Sequence, residues 1–212
     1  MLVVGLGRFG TSVAEALVRL NQEVMAIDED PDLVQKWSDE LTHVVQADAT
    51  DEQALRQLGV SNLDRAVVAI GADIEASVLV VLALAEAGVQ DIWAKAVTRK
   101  QGLILERVGA HHVVYPEHEM GERVAHMLTG SMIDYIEFDD GFSLARTFAP
   151  SMTWDKTLAD SSPRTHYGVT VVGVKRVGED FTYAQPQTSV RRHDELIVAG
   201  PTTHVEKFCR LK

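Results

Sequence analysis

The first ten residues constrain the fold more than any other segment of the chain. The apolar run 1–4 predicts a buried strand, and residues 5–10 follow it directly with the spacing G-x-G-x-x-G. Apolar residues then recur at helical spacing over 13–18. A strand, a glycine loop and a helix in this order form the arrangement that holds the phosphates of a nucleotide at a helix N-terminus.

Each glycine of this loop has a separate task. Gly5 permits the tight turn out of the strand, and Gly7 lets the backbone approach the phosphates. Gly10 lets the helix pack closely against the strand. The helix N-terminus then presents free N–H groups and the positive end of its dipole to an anion, so the loop predicts a phosphate-binding turn.

An acidic residue stands where a dinucleotide-binding fold needs one. Residues 23–27 predict a second strand that ends at Asp28, roughly 20 residues after the loop. A carboxylate there accepts hydrogen bonds from ribose hydroxyls and repels a 2′-phosphate, which favours NAD or an adenine nucleotide over NADP. The alternative is a helix cap, because Glu29, Asp30 and Pro31 follow and proline suits a first helical turn.

Strands and helices continue to alternate as far as residue 117. Short apolar runs predict four more strands, at 42–47, 65–70, 92–96 and 112–115. Such runs are typical of a parallel sheet that helices cover on both faces, so we predict an α/β fold with a Rossmann-like, doubly wound parallel sheet. The strand ends are expected to share one rim, which would carry Gly5, Asp28, Asp48, Gly71, Lys95 and Glu117.

The pattern changes in the last third of the chain. A helical stretch over 120–134 is followed by signals for a hairpin, more strands and a short final helix. The sequence therefore predicts two domains, a nucleotide-binding domain over 1–134 that includes the connecting helix and a small α+β domain over 135–212.

Earlier in the chain, Thr50 and Gln53 predict a capping box at the start of a helix.

Charge and cysteine content exclude some partners. Twenty basic and 31 acidic residues give a net charge of −11, which disfavours nucleic acid and anionic lipid as main partners. The one cysteine, Cys209, cannot form an internal disulfide, as expected in a reducing cytoplasm. The opening strand does not resemble a signal peptide, and the apolar run 76–87 is too short to span a bilayer. A cytoplasmic protein is predicted.

Several segments together resemble one known family. They are Gly5-Leu6-Gly7-Arg8-Phe9-Gly10, Asp28, Ala47-Asp48-Ala49-Thr50, Ala69-Ile70-Gly71-Ala72, Trp93-Ala94-Lys95-Ala96, Gly109-Ala110, and Pro116-Glu117 with Met120-Gly121. In these segments the chain resembles the RCK regulators of potassium transport, also called KTN or TrkA-N plus TrkA-C proteins, and in particular their KtrA-type regulatory subunits. The resemblance covers essentially the whole chain.

The resemblance implies a regulator rather than an enzyme. It implies binding of ATP and ADP, and in some members NAD(H), by an RCK_N domain that is followed by a small RCK_C domain. The family's subunits pair into homodimers, and the dimers form an octameric ring. That ring docks on the cytoplasmic face of a membrane potassium-translocating subunit of the KtrB kind, so a peripheral location at the cell membrane is expected.

The resemblance also assigns site residues. The predicted nucleotide contacts are Gly5, Leu6, Gly7, Arg8, Phe9, Gly10, Asp28, Glu29, Asp48, Ala49, Thr50, Ile70, Gly71, Ala72 and Lys95. Arg8 matches a basic residue that reaches the terminal phosphate across the dimer, a contact that suits the planar guanidinium. Its alternative is a solvated loop arginine.

Two further ligands follow from the resemblance. Glu117 matches a residue that coordinates a divalent or sodium cation between two subunits, with phosphate oxygens completing the shell; the alternative is an acid that stabilises a helix N-terminus. Arg164, His166 and Tyr167 match the region where some members bind cyclic di-AMP.

Two other functions compete with this interpretation. The glycine loop and Asp28 fit an NAD-dependent oxidoreductase equally well, although no acid/base pair stands out in a substrate domain. An RCK sensor module of another cation channel or antiporter would carry the same motifs.

Overall fold

The chain folds into two compact units, Met1–His118 and Glu119–Lys212. The computed structural model describes residues 1–128, 132–138 and 140–211. The strands of the first unit are β1 (Leu2–Val4), β2 (Met25–Asp28), β3 (His43–Gln46), β4 (Arg65–Val68), β5 (Asp91–Lys95) and β6 (His112–Val114). Its helices are α1 (Arg8–Arg19), α2 (Pro31–Trp37), α3 (Glu52–Gln57), α4 (Ile74–Glu86) and α5 (Arg99–Val108), and α6 (Pro116–Leu128) begins within it.

The six strands form one parallel sheet in the order β3-β2-β1-β4-β5-β6, which confirms the predicted doubly wound fold. Each face has its own core. One contains Val80, Leu84 and Leu105 of α4 and α5, and the other contains Ala14 of α1 with Leu41. The strand order reverses between β1 and β4, and a sheet of this kind opens its ligand crevice there.

The glycine loop after β1 has the close packing that its spacing predicts. Gly5 has a φ of +94°, in the region that favours glycine. A Cβ atom on Gly10 would lie 1.8 Å from the carbonyl oxygen of Gly5, so α1 begins in direct contact with the turn. The Leu6 N–H donates to Asp28 Oδ2 over 2.5 Å, and this bond ties the loop to the end of β2.

The second unit is built on an antiparallel sheet. Its strands are β7 (Met132–Phe138), β8 (Phe142–Phe148), β9 (Lys156–Thr157), β10 (Thr170–Lys175), β11 (Phe181–Tyr183), β12 (Ser189–Val190) and β13 (Glu195–Pro201), and its helices are α7 (Leu158–Ser161), α8 (Pro163–Tyr167) and α9 (Thr202–Cys209). Five strands pair in the order β11-β10-β13-β8-β7, and β9 pairs with β12. Val205 and Phe208 of α9 are buried in its core. Burial also raises the pKa of the Cys209 thiol to about 11.

The connecting segment differs from its prediction. The predicted helix over 120–134 is wrong in its second part, because α6 ends at Leu128 and Met132 already begins β7. The reason is strand pairing: Asp134 lies opposite Arg146 in the β7–β8 pair, and Arg123 of α6 donates to the Asp134 carboxylate. Where one independently folding domain ends and the next begins stays a prediction.

Other local predictions have mixed outcomes. The hairpin of β7 and β8 is confirmed, although Asp139 of its turn lies outside the described residues. The capping box is wrong: Asp51 caps α3 by accepting from the Gln53 N–H, while Thr50 bonds to Asp48. Over 1–128, 132–138 and 140–211, none of the helices combines the length and apolar character needed to span a membrane.

Candidate nucleotide site

A cleft of about 810 Å³ opens at the carboxyl ends of the parallel strands. All six residues that the sequence places on one rim line this cleft: Gly5, Asp28, Asp48, Gly71, Lys95 and Glu117. They lie at or just after the carboxyl ends of five different strands and at the start of α6, so the topology of the sheet brings them together. The cleft is large enough for a nucleotide.

The start of α1 differs from the starts of α2, α3, α4 and α5. Gly7 occupies its N-cap position, no side chain caps it, and its first turn carries no acidic residue. By contrast α2, α3, α4 and α5 are each capped by a side chain, namely Asp30, Asp51, Asp73 and Thr98. The first N–H groups of α1 therefore remain available to an anion at the cleft, with the helix dipole in its favour.

Asp28 closes the end of β2 and faces the cleft. Its two oxygens accept from different backbone donors, Oδ2 from Leu6 at 2.5 Å and Oδ1 from Asp30 at 2.9 Å. The cap of α2 is Asp30 and not Asp28. Each carboxylate oxygen can accept more than one hydrogen bond, so the fixed carboxylate can also receive ribose hydroxyls.

Asp48 lies at the neighbouring strand end. Both the hydroxyl and the N–H of Thr50 donate to its Oδ1, over 2.6 Å and 2.8 Å. The hydroxyl bond, followed by the backbone bond, lowers the pKa of the Asp48 carboxyl below its usual range. The pair fixes the wall of the cleft beside Asp28, and both of its residues are among the predicted nucleotide contacts.

Lys95 and Glu117 form an ion pair in the cleft. Lys95 Nζ lies 2.6 Å from Glu117 Oε1, and this hydrogen bond holds the pKa of the Glu117 carboxyl below its usual range. The lysine side chain is 12% exposed and the glutamate side chain 61% exposed. The ammonium is thus fixed inside the cleft, while the carboxylate stands at its edge.

Most but not all of the predicted nucleotide contacts line the cleft. Leu6 and Gly10 do not: Leu6 is buried in the core beside α1, and Gly10 packs against Gly5. Asp73 and Val97 also line the cleft, although they are not among the contacts predicted from the sequence. Both residues follow strand ends, so the rule that placed Gly71 and Lys95 on the rim could have found them.

A second cavity, of about 400 Å³, lies in the C-terminal unit. Arg164 lines it together with apolar side chains that include Leu158, Pro163, Val169 and Val171. His166 and Tyr167 do not line it. The Tyr167 ring instead packs edge-on against Phe208, with 5.7 Å between ring centres, because it completes the core under α9.

Comparison with known proteins gives the family. The TrkA-N domain model matches residues 1–116 and the TrkA-C domain model matches residues 149–212. The chain belongs to the RCK family of TrkA-N/TrkA-C proteins. It is 39% identical over 207 residues to Ktr system potassium uptake protein C of Bacillus subtilis (strain 168), covering 97% of this chain and 94% of that protein. Ktr system potassium uptake protein A of the same organism is 34% identical over 207 residues, covering 97% and 93%.

Solved structures agree on the RCK fold. The crystal structure of the GsuK RCK domain superposes with a TM-score of 0.69 at 19% identity, covering 99% of this chain and 47% of that chain. The GsuK channel bound to NAD superposes with a TM-score of 0.67 at 18% identity, covering 98% and 38%. GsuK bound to ADP gives 0.52 at 17% identity, covering 62% and 34%. The chain thus spans less than half the length of these solved proteins.

Proposed function

We propose that this RCK chain is a cytosolic, nucleotide-sensing regulatory subunit of a membrane potassium-transport system. ATP and ADP are the expected ligands of its first unit, and NAD(H) is a further one. The observation that carries this proposal is the uncapped N-terminus of α1, which opens into the same cleft as the carboxylate of Asp28. Anion-binding N–H groups beside a ribose-binding acid match the two ends of a nucleotide.

The relatives support the potassium-transport part of the proposal. Both are named as potassium uptake proteins of Ktr systems and are similar to this chain over nearly their whole length. The GsuK structures named as bound to NAD and to ADP share its fold and support nucleotide binding. A KtrB-like membrane subunit is the proposed partner, and the chain would act on it from the cytoplasmic face.

An exposed apolar surface supports pairing of two copies. Helix α4 is apolar on nearly all sides, and its Ile74, Leu79 and Leu82 remain 48%, 43% and 38% exposed. Leu103 and Ile104 on the adjoining α5 are 61% and 47% exposed. Exposed apolar side chains on two adjoining helices are typical of an interface. The proposed partner on it is a second copy, and dimers would assemble into the octameric ring.

A cation at Glu117 is proposed only together with a nucleotide. Among the described residues no group of three or more His, Cys, Asp or Glu side chains could hold a metal ion. Glu117 alone offers one carboxylate, whose Oε1 already accepts from Lys95. Phosphate oxygens would have to supply further ligands, as they commonly do for divalent cations.

Cyclic di-AMP is the proposed ligand of the C-terminal cavity. Its apolar walls suit a nucleobase, and Arg164 supplies the charge for a phosphate. Replacing Arg164 by alanine in the full chain should weaken cyclic di-AMP binding about tenfold or more in calorimetry. Arg210→Ala, which removes an exposed arginine after α9, should leave it unchanged. Equal affinities of the two variants would rule out the phosphate contact.

The main proposal is tested by comparing ATP, ADP and NADH in calorimetry with the wild-type chain and Arg8→Ala. Arg8 lines the cleft and is exposed. If it reads the terminal phosphate, its loss should weaken ATP binding about tenfold to a hundredfold and ADP binding much less. Arg19→Ala, at the other end of α1 and paired with Glu15, is the matched control.

A different binding result would favour the oxidoreductase function over the nucleotide-sensing function. If only NADH binds and Arg8→Ala changes nothing, the ATP-sensing mechanism is wrong. An NAD-dependent oxidoreductase would then become the better hypothesis, and consumption of NADH with candidate substrates would be the next measurement.

A further inference from the structure

The Lys95–Glu117 pair joins the end of β5 to the start of α6. Its 2.6 Å separation and the low exposure of Lys95 show that the ammonium is held in one place. Gly71 makes room for it, because a Cβ atom on Gly71 would lie 3.1 Å from Lys95 Nζ. The ammonium also lies 5.8 Å from the ring centre of Phe9, which belongs to the glycine loop. Lys95 therefore stands beside the turn that would bind phosphates.

The charges of the cleft make this position important. Among the described lining residues the carboxylates are Asp28, Glu29, Asp30, Asp48, Asp73 and Glu117, whereas the cations are Arg8 and Lys95. A nucleotide adds further negative charge to this acidic surface. A terminal phosphate near Glu117 would be repelled unless a cation stands between them. Lys95 is the cation already fixed at that point.

We propose that Lys95 is a phosphate-sensing residue that exchanges its partner. Its ammonium pairs with Glu117 whenever no phosphate lies within its reach, and it moves to the terminal phosphate when a nucleoside triphosphate binds. The move frees the Glu117 carboxylate, which then takes a divalent cation together with phosphate oxygens. This inference rests on the proposed nucleotide function and names the residue that couples the phosphate to the cation.

The exchange follows from the chemistry of the groups. A lysine ammonium is a compact charge on a flexible stem, so it can turn between two anions without moving the backbone. An ammonium and a divalent cation at the same carboxylate oxygen would repel each other. The cation must therefore displace Lys95 from Glu117, and a phosphate that attracts Lys95 lowers the cost of that displacement.

The test is calorimetry of ATP binding to the full chain, with a chelator and with excess Ca²⁺, in wild type and Lys95→Met. Methionine keeps an unbranched stem beside Gly71 but removes the charge. The enhancement of ATP affinity by Ca²⁺ should be about tenfold larger in Lys95→Met, because without the ammonium only Ca²⁺ can offset the repulsion between Glu117 and the terminal phosphate. Without Ca²⁺ the variant should bind ATP about tenfold more weakly than wild type. Complexation of ATP by Ca²⁺ in solution is common to both proteins and cancels from the comparison.

Further variants at Lys100, Glu117 and Lys95 complete the design. Lys100→Met removes an exposed lysine of α5 that does not line the cleft, and it should behave as wild type. Glu117→Gln should abolish the protein-dependent part of the Ca²⁺ enhancement, both alone and combined with Lys95→Met. If Lys95→Met melts at a lower temperature than wild type, Lys95→Gln provides the same comparison with a polar stem.

The outcomes separate this inference from the function on which it rests. ATP binding with the same Ca²⁺ enhancement in wild type and Lys95→Met overturns the partner exchange and leaves the nucleotide function standing. Equal weakening of ATP and ADP by Lys95→Met, again with unchanged enhancement, also overturns it, since Lys95 would then serve both nucleotides alike. Absence of nucleotide binding in wild type overturns the proposed function, and the inference with it.

Discussion

Replacing Gly10 by alanine should destabilise the first unit severely. The new Cβ atom would lie 1.8 Å from the carbonyl oxygen of Gly5 and 3.0 Å from the Cβ of Ala69. Neither obstacle is a flexible side chain: the oxygen belongs to the backbone turn after β1, and Ala69 follows β4. Relief would need α1 to move off the sheet, so we expect a loss of about 3 kcal/mol or more in the free energy of unfolding. Chemical denaturation would measure it.

Gly7→Ala is the matched control for this prediction. A Cβ atom on Gly7 would meet no atom within 4 Å, and its φ of −67° and ψ of −175° suit any residue. Its unfolding free energy should therefore stay within about 1 kcal/mol of wild type. Because Gly7 lines the cleft, its methyl group should instead block the approach of phosphates and weaken ATP binding about tenfold or more. Equal unfolding free energies of Gly10→Ala and Gly7→Ala would contradict the assignment of helix packing to Gly10 and of phosphate approach to Gly7.

The sequence predicts the first unit well for a physical reason. A buried parallel strand is short and apolar, and the end that faces the ligand is polar or glycine. The sequence pattern therefore predicts β1 with its loop and β2 with Asp28. The hydrogen bond between Lys95 and Glu117 cannot be predicted from the sequence, because the two residues are 22 positions apart and belong to different elements. Sequence places both on one rim, but only the packed structure shows that they bond to each other.

The second unit is harder to predict because its strands are short or exposed. Strands β9 and β12 have two residues each, too few for an alternating pattern. All three residues of β11 are exposed, so no apolar run distinguishes it from a loop. His166 and Tyr167 are predicted to contact a ligand, but neither lines the candidate cavity. A local motif does not show that Tyr167 of the five-residue helix α8 packs against the core while His166 stays exposed.

Asp28→Asn should have the second large effect, on both stability and ligand choice. The two carboxylate oxygens accept from different N–H groups, Leu6 and Asp30. An asparagine has one acceptor and one amide donor, so its NH₂ group would face one of these N–H donors without a bond. The cost is about 1–3 kcal/mol where the partly buried Leu6 N–H loses its acceptor and less where the exposed Asp30 N–H does, and the loss should appear in chemical denaturation. The weakened tie to Leu6 should also loosen the glycine loop.

The effect on ligand choice separates a ribose contact from a purely structural role. If Asp28 binds ribose hydroxyls, Asp28→Asn should weaken NADH and ATP binding about tenfold, and it should reduce the preference for NADH over NADPH because the charge that repels a 2′-phosphate is gone. Asp30→Asn is the matched control: it also lines the cleft, and asparagine caps a helix as well as aspartate does. A destabilised Asp28→Asn that kept the wild-type preference for NADH over NADPH would limit Asp28 to anchoring the loop. A reduced preference confined to Asp28→Asn would identify its carboxylate as the group that selects the ribose.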